Sequence, residues 1–514
     1  MRVFTATGLQ ASTRCLPVED IVYLPRPALN PESMTRLGEE VLGRPELKAQ
    51  MATHASAPMA FLTTVDLYET YCMAHQGQEP EWVRGISADL QRILRFQYAI
   101  GEGYDAWAIV PELPRTGIGY LIQEGGLTED VIRTFGLARL QRIRQLGFLH
   151  DPVVHNEEFG NVNLTFPHTR YCHVLDVRAI LRLMAENLAL SDEEKVHLEV
   201  AGLTHDALTP AGGDTVKLVD RQAFDEDANY PELFQRFDWS ALQTRYRLDA
   251  SFLATIVQGL GKLGQLLNLA DKISYVARDT DQYLGRFPWW AFRAPTGYER
   301  AKALTQDSLI CGWWDSLQVH GETVAVTDPE RFGRFLELRA LLFRDLYANP
   351  ASRFLEHTIS SVVVRYFYER GELTRDILLR ITDDELERRL SRSVRRMSDV
   401  SVFWNNHPEV ELFPTRAEAL ARETEIRAGD TNRVALLEEW QTATKTGCEI
   451  LVEHRGRVAS FEELFPKEAA RITAIHHTDR PFRLYSFDVE RLDATPAFRA
   501  ALAAHYRRER ATSV

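Results

Sequence analysis

Apolar residues recur at spacings of three and four along most of the middle of the chain, which is the pattern of amphipathic helices. Ser191 precedes three acidic residues and predicts a helix start, because serine caps free backbone N–H groups and acids stabilise the first turn. The apolar stretch that begins at residue 252 contains Gly261 and Gly264, which predict a kink. The predicted helices cover residues 81–100, 128–145, 175–190, 191–205, 252–284, 329–347 and 351–370, and another begins near 374.

Both ends of the chain have a different pattern. Prolines interrupt the first residues and again the stretch 111–116, where the sequence predicts a boundary. Beyond about residue 400, apolar and polar residues alternate over 447–455 and 481–488, which predicts strands, and a last helix is predicted over 496–510. We therefore expect a mainly α protein with three parts. These are an N-terminal extension (1–112), a helical core (113–399) and a small C-terminal α+β region (400–514).

Charge and cysteine content exclude some classes of protein. The 514 residues carry a formal net charge of −13, so a nucleic-acid coat with its basic surface is not expected, although a few cations suffice to bind a small anion. No apolar run reaches the roughly 18 residues of a membrane span, and the first residues lack the apolar core of a signal peptide. The five cysteines include no CxxC pair, which argues against a disulfide framework or a cysteine zinc site. We expect a cytoplasmic protein.

Four potential metal ligands lie on three predicted helices. His173 stands in HTRYCH at the start of one helix. The adjacent residues His205 and Asp206 end a second helix, and Asp271 lies midway along a third. Two neutral imidazoles and two carboxylates bind a divalent ion with a low net charge and leave positions for water and a phosphate oxygen. Because His205 and Asp206 are adjacent at a helix end, both can face one ion, and Asp206 could bridge to a second.

The neighbours of these four residues strengthen the prediction. Arg170 lies three residues before His173, and Lys272 and Tyr275 closely follow Asp271. Asp271 and Tyr275 are four residues apart and therefore share one helical face. Asp271 and Lys272 follow the apolar segment LLNLA, where charged groups are costly unless they are paired or ligated. Each residue alone is more often structural, and it is the ordered set that indicates a site.

In these segments the chain resembles the HD-domain metal-dependent phosphohydrolases. It is most similar to their deoxynucleoside triphosphate triphosphohydrolase branch, which includes the bacterial dGTPases and the vertebrate sterile-alpha-motif/HD enzyme. The resemblance runs through RLQRIRQLG, FPHTRYCH, the HD pair and ADKISYVARD, and more weakly through FRDLYANPASRFLEH and ELTRDILLRI. It implies an HD-domain helical core, a divalent metal cofactor (Mn, Fe, Ni, Zn, Co or Mg) and hydrolysis of a dNTP to deoxynucleoside and triphosphate.

The resemblance also implies roles for individual residues. These are His173, His205, Asp206 and Asp271 for the metal, Arg170, Lys272 and Tyr275 for the substrate phosphates, and Gln145 and Asp279 for the deoxyribose 3′-hydroxyl. A structural salt bridge remains an alternative for Arg170 and Lys272, and a place on a helix surface remains one for Gln145. Family members are commonly oligomers whose subunits share nucleotide sites, so the resemblance implies a homo-oligomer, with an allosteric nucleotide as a further candidate partner.

The chain departs from the family's pattern after the HD pair. Thr209 and Asp214 occupy the positions of two family histidines that contact phosphate or handle a proton. A threonine hydroxyl can bond a phosphate oxygen but cannot supply a proton near neutral pH, and Asp214 could do so only if its pKa were raised. Glu226, in the acidic run FDED, is the nearest match to a family His-Glu pair and is either a proton donor or part of a solvated loop. The predicted catalytic residues are Asp206, Asp214 and Glu226.

Two other functions stay open. The first is a phosphohydrolase of the same superfamily that acts on a nucleoside monophosphate, a cyclic nucleotide or another phosphoester. The second is a nucleotide-binding regulator that keeps the metal site without turnover, which the replaced histidines at Thr209 and Asp214 would explain.

Overall fold

The computed structural model of the chain describes the helical middle and most of the C-terminal region. The predicted helix over 81–100 lies outside the described residues. Those residues are 21–23, 118–120, 126–147, 153–156, 160–163, 168–285, 300–301, 303–304, 316–348, 350–394, 409–429, 433–439, 450–476, 478–492 and 494–512.

The described elements are mainly helical, which confirms the predicted fold class. The α-helices are α1 (Leu127–Thr134), α2 (Arg170–Asn187), α3 (Asp192–Thr204), α4 (Gly213–Lys217), α5 (Glu226–Asn229), α6 (Leu233–Arg236), α7 (Ser240–Tyr246), α8 (Ala250–Val257), α9 (Gly261–Gly285), α10 (Pro329–Leu342), α11 (Pro350–His357), α12 (Arg365–Glu369), α13 (Arg375–Leu378), α14 (Asp383–Leu390), α15 (Arg416–Gly429), α16 (Phe461–Leu464), α17 (Pro466–His476) and α18 (Pro496–Thr512). The 3₁₀ and π segments are Leu137–Arg142, Tyr230–Glu232, Phe343–Tyr347, Thr358–Val364 and Val489–Arg491. The strands are β1 (Ile21–Tyr23), β2 (Ile118–Tyr120), β3 (Val153–Asn156), β4 (Gly160–Asn163), β5 (Leu317–His320), β6 (Thr323–Val326), β7 (Glu409–Phe413), β8 (Arg433–Glu439), β9 (Leu451–His454), β10 (Arg457–Ser460) and β11 (Phe482–Asp488).

Local sequence explains where the helices begin and break. Ser191 caps α3 and exchanges hydrogen bonds with Glu194 in a capping box, so the predicted start is confirmed. The prediction of a single helix over 128–145 is wrong, because Gly136 has a φ of 63° that ends α1, and a 3₁₀ turn follows. The predicted kink separates α8 from α9. There Gly259 has a φ of 78°, and a Cβ on Gly264 would lie 2.3 Å from the carbonyl carbon of Gly259.

The contacts of the chain divide it into two units. One contains residues 1–133 and 277–303, with the antiparallel pair of β1 and β2. The other contains residues 134–276 and 304–514 and holds most of the described elements. The predicted boundaries near residues 112 and 399 stay a prediction.

The packing of α2 on α3 forms the centre of the larger unit. Val174, Val177 and Ile180 of α2 are fully buried, so this face of the helix has no contact with solvent. Gly202 of α3 permits the close approach, because a Cβ there would lie 2.6 Å from a methyl group of Leu181 and 3.5 Å from the backbone of α2. Three of the four predicted metal ligands lie at the start of α2 (His173) and directly after α3 (His205 and Asp206), so this packing sets the distance between those three.

The strands of the C-terminal region belong to two sheets, one antiparallel with three strands and one mixed with four. β11 lies between β7 and β8 in a three-stranded sheet, with Tyr485 opposite Val410 and Leu436. β9 and β10 form a hairpin that joins the hairpin of β5 and β6, with Val326 beside Val452 in a parallel pair. The strands predicted over 447–455 and 481–488 and the helix over 496–510 are confirmed as β9, β11 and α18.

Of the helices in the part of the chain that the structure describes, none has both the length and the apolar character that crossing a membrane requires.

Candidate metal centre

Three of the four predicted metal ligands lie together, and the fourth, Asp271, lies beside one of them. His173 lies in the first turn of α2, where Thr169 caps the helix, and His205 and Asp206 end α3. The Nε2 atoms of His173 and His205 are 3.3 Å apart. Asp206 Oδ2 lies 3.7 Å from His173 Nε2 and 3.9 Å from His205 Nε2, and Asp271 Oδ1 lies 3.0 Å from His173 Nε2. The candidate ligand atoms of His173, His205 and Asp206 all lie within 4.8 Å of one another, as ligands around one ion do, whereas Asp271 lies close to His173. We call His173, His205, Asp206 and Asp271 the ligand cluster.

The other ring nitrogen of each histidine has a fixed partner. His173 Nδ1 lies 3.0 Å from Ser274 Oγ, which is in turn 3.5 Å from a carboxylate oxygen of Asp176. His205 Nδ1 lies 2.9 Å from the carbonyl oxygen of Gly202. An acceptor at Nδ1 holds the proton on that nitrogen and orients the ring, which leaves Nε2 free to bind a metal. The chemistry of the donor set therefore fits a divalent ion.

The two carboxyl groups of the ligand cluster are held in the ionised form. Burial raises the pKa of Asp206, but the charges of Arg170, His205 and His173 lower it well below its ordinary value. Burial also raises the pKa of Asp271, and the hydrogen bond from His173 lowers it below the ordinary value. Ionised carboxylates are the form that binds metal ions, so these shifts favour a cation at the cluster.

A series of ion pairs extends from the ligand cluster to Glu226. Arg170 donates to Asp206 Oδ2 and to Asp214 Oδ2, with both distances 2.7 Å. Lys217 lies 2.8 Å from Asp214 Oδ1 and 2.7 Å from Glu226 Oε2. We call Arg170, Asp214, Lys217 and Glu226 the charged chain. It alternates in sign, so each of its charges is compensated by its neighbours.

Thr209, Asp214 and Glu226, which the sequence proposes for the positions of missing family histidines and a His-Glu pair, lie in one place. The Thr209 hydroxyl donates to Glu226 Oε1, and Lys217 joins Glu226 to Asp214. The Glu226 side chain is only 10% exposed, so it is not solvated as a loop residue would be, and its role in a site stays a prediction. The sequence analysis missed Lys217. Its spacing of three residues from Asp214 on one short helix was the available signal.

The two acids of the charged chain differ in protonation. Half of the Asp214 side chain is exposed, and although burial of the rest raises its pKa, Arg170 and Lys217 lower it to about 2. Burial raises the pKa of Glu226 to about 7, because the charge of Lys217 offsets it only in part. Asp214 thus lacks the raised pKa that a proton donor would need, and Glu226 has it.

The loop after the HD pair is clamped from two sides. Arg139, from the RLQRIRQLG motif, donates to the carbonyl oxygens of Ala207 and Thr209. Asp383, at the start of α14, accepts from the backbone N–H groups of Gly212 at 2.7 Å and Arg144 at 2.8 Å. These contacts hold the backbone that carries Asp206, Thr209 and α4.

Gly147, which ends the RLQRIRQLG motif, is required by close packing. Gly147 has a φ of 56°, and a Cβ there would lie 2.2 Å from the carbonyl oxygen of Gly212. Two residues earlier, Gln145 is buried, and its Oε1 has no hydrogen-bond partner among the residues that the structure describes. A buried amide oxygen without a donor is costly, so Gln145 is suited to a polar ligand rather than to a helix surface.

The remaining predicted contact residues lie along α9. Lys272 donates to the carbonyl oxygen of Asn268 at 3.1 Å, one turn earlier in the same helix. The Tyr275 hydroxyl accepts from Arg339 Nε at 2.6 Å. Asp279 is fully buried and belongs to the smaller unit. Their roles toward a substrate stay predictions.

A cleft of about 300 Å³ opens beside the charged chain. Its walls include the inner acid Glu226 and its partner Lys217 together with the exposed Arg221. The other residues that line it are Leu218, Phe224, Asp225 and Asp227. A small molecule in this cleft would therefore reach Glu226 directly.

Comparisons with known proteins show the fold. No protein-family model matches the chain, and no curated protein matches it. A phosphohydrolase from Bacteroides thetaiotaomicron VPI-5482 is similar in structure, with a TM-score of 0.51 and 16% identity over 74% of this chain and 99% of that chain. A hypothetical protein from Aquifex aeolicus has a TM-score of 0.46 and 17% identity over 72% of this chain and 93% of that one. The chain thus has a fold similar to that of a phosphohydrolase.

Proposed function

We propose that the protein is a metal-dependent phosphohydrolase of the HD type that acts on nucleotides, with a dNTP as substrate and deoxynucleoside and triphosphate as products. The observation that carries the proposal is the group formed by His173, His205 and Asp206, with Asp271 beside His173 and the buried cation Arg170 next to it. The fold shared with a phosphohydrolase supports the same reaction class. The substrate rests on the resemblance of the sequence motifs.

The ligand cluster supplies the cofactor site. When bound there, a divalent ion would supply Lewis-acid chemistry, namely a lowered pKa of bound water and polarisation of a phosphoryl oxygen. His173 and His205 offer Nε2, and Asp206 and Asp271 offer carboxylate oxygens, a set that suits Mn, Fe, Ni, Zn, Co or Mg.

Arg170 is suited to bind the reacting phosphate. Its two terminal nitrogens are held by Asp206 and Asp214, which fixes the plane of the guanidinium. Its Nε is buried and has no acceptor among the described residues. A phosphate oxygen would complete this donor, and the fixed positive charge would stabilise negative charge that develops on the phosphoryl group. Lys272 and Tyr275 are further candidates for phosphate contact, and Gln145 and Asp279 for the sugar hydroxyl.

Glu226 is the proton donor in this proposal. Its pKa of about 7 lets it hold a proton near neutral pH, and Thr209 and Lys217 fix its two oxygens. A carboxylic acid in that state can protonate the leaving oxygen, which is the task that family histidines perform elsewhere. Asp214 instead serves as an anion that orients Arg170 and Lys217.

The test is product analysis with the purified protein, Mn²⁺, Mg²⁺ or Co²⁺, and a panel of nucleotides. Release of tripolyphosphate from a dNTP is the expected result, and Asp206→Ala should abolish it. Orthophosphate or pyrophosphate as the sole inorganic product would contradict the dNTP triphosphohydrolase and favour hydrolysis of another nucleotide or phosphoester.

A catalytically silent nucleotide-binding regulator is the second candidate. The observation that favours it is the 2.7 Å ion pair between Arg170 and Asp206, which competes with a metal for that carboxylate. Nucleotide binding without turnover under any of the metals would support it. Assembly into a homo-oligomer, an allosteric nucleotide and a cytoplasmic location are further parts of the proposal.

A further inference from the structure

A second buried charged group joins the C-terminal sheet to α11. Glu438 of β8 accepts from Arg353 Nε at 2.7 Å through one oxygen and from the Tyr485 hydroxyl at 2.7 Å through the other. His357 Nε2 lies 3.2 Å from the first of these oxygens. Burial raises the pKa of Glu438, but the hydrogen bond from His357 and the charge of Arg353 lower it far below its ordinary value. Glu438 is therefore a carboxylate whose position depends on these three donors.

The same arginine connects this group to the candidate site. Arg353 also pairs with Glu356, one turn later in α11, through Glu356 Oε2. The other oxygen, Glu356 Oε1, accepts from the hydroxyl of Thr215 at 3.3 Å. Glu356 and Thr215 are both buried, and Thr215 lies in α4 between Asp214 and Lys217 of the charged chain. We call Glu438, Tyr485, Arg353, His357, Glu356 and Thr215 the Arg353 network.

We propose that Glu438 is a positioning residue for the candidate site: through Arg353 and Glu356 it fixes Thr215, and with it the orientation of α4. The consequence is that the C-terminal sheet influences the site, although none of its described residues contributes a ligand. From the proposed function this inference takes only that Asp214 and Lys217 belong to the site, and it holds whatever the substrate is.

The order of contacts explains how a change at Glu438 would alter the position of Thr215. Arg353 divides its donors between two carboxylates, Glu438 and Glu356. Without the charge at Glu438, the guanidinium is drawn wholly to Glu356, because a buried cation is costly unless a carboxylate compensates it. Glu356 then turns toward Arg353, and its bond to Thr215, which at 3.3 Å is the longest of the three links, is lost first.

The test measures backbone hydrogen exchange by mass spectrometry on the full chain without added metal or nucleotide. We expect Glu438→Gln to speed exchange in the segment 206–218 by about fivefold, the factor that corresponds to the loss of one buried hydrogen bond. Thr215→Val should give the same change, Thr215→Ser should restore slow exchange, and the double variant Glu438→Gln/Thr215→Val should exchange no faster than either single variant. Because no turnover is measured, failure of the proposed function would leave this result unaffected.

The matched control is Glu411→Gln. Glu411 lies in β7 of the same sheet and pairs with Arg422 at 3.0 Å, without a link to α4 among the described contacts. It should leave exchange of 206–218 unchanged. If Glu438→Gln unfolds the chain, Glu438→Asp, whose shorter side chain withdraws the carboxylate from Arg353, is measured instead and should give the same faster exchange in 206–218. Faster exchange confined to the strands and α11, with 206–218 unchanged, would overturn the proposal, as would additive effects in the double variant.

Discussion

The ligand cluster and the Arg353 network are both buried groups of charged side chains in the larger unit, yet their hydrogen bonds differ. In the Arg353 network all four oxygens of Glu438 and Glu356 accept from a donor. In the ligand cluster two imidazole Nε2 atoms face each other at 3.3 Å, with carboxylate oxygens 3.0–3.9 Å away. Histidine nitrogens and carboxylate oxygens gathered this closely are the donor set that a divalent cation binds, whereas every carboxylate oxygen of the Arg353 network already has a donor. The contrast indicates a binding site at the ligand cluster and a structural connection at the Arg353 network.

Removing one ligand should give the largest effect on activity. We expect His205→Ala to lower kcat/KM for nucleotide hydrolysis by at least about a thousandfold, because the metal that activates water is lost. Loss of the hydrogen bond to the carbonyl oxygen of Gly202 and of the ring contact with His173 should lower its unfolding free energy by about 1–2 kcal/mol.

The control for this variant is a histidine of the same helix that lies outside the ligand cluster. His197 of α3 bonds the carbonyl of Glu193 and the N–H of Asp249. His197→Gln should cost about 1–2 kcal/mol of stability and leave activity intact. Equal losses of activity in the two variants would remove the distinction between them.

Breaking the Arg353 network should affect stability first. Arg353→Leu leaves Glu438 and Glu356 buried without their cation, so we expect the unfolding free energy to fall by about 3–5 kcal/mol in urea denaturation. In the fraction of this variant that stays folded, the ligand cluster should remain in place. A change below about 1 kcal/mol would show that the two carboxylates are not compensated by Arg353.

Glu226→Gln should lower kcat by about a hundredfold with little change in KM, because a proton donor acts in the transition state. The pKa of Glu226 is raised to about 7, so the carboxyl carries its proton below that pH and loses it above. Wild-type kcat should therefore fall as the pH rises through this pKa. A bound cation lowers the pKa of Glu226, so the fall should occur at or below about pH 7. The variant should lack that fall. Asp225→Asn, which keeps a cap for α5, is the control.

The smallest effect is expected at Thr209, which donates to Glu226. Thr209→Val should lower kcat about fivefold to tenfold, because one hydrogen bond to Glu226 is lost. Thr209→Ser keeps the hydroxyl and should retain wild-type kcat. A serine variant as slow as the valine variant would show that shape rather than the hydrogen bond matters there.

The metal ligands could be proposed from the order of His173, His205, Asp206 and Asp271 along the chain and from the resemblance of the surrounding motifs, without knowledge of the packing. The cap at Ser191 and the strands β9 and β11 were predictable from local sequence, since each depends on a few neighbouring residues.

Long-range contacts could not be predicted. Lys217 enters the site through pairs with Asp214 and Glu226, and the second of these depends on how the loop from 218 to 225 folds back. The Arg353 network joins residues up to 270 positions apart, from Thr215 to Tyr485, and no spacing indicates such a contact. The pKa values of Asp214 and Glu226 follow from these pairs, so the sequence could not predict which of the two acids holds a proton.

Metal content tests the central claim most directly. The full chain is dialysed against Mn²⁺, freed of excess ion, and measured for metal per chain beside Asp206→Ala and Asp271→Ala. We predict stoichiometric Mn²⁺ in the wild type and a loss of at least about tenfold in affinity in each variant. Wild-type protein that retains no divalent ion, or variants that bind it as tightly as the wild type, would contradict the assignment of the ligand cluster.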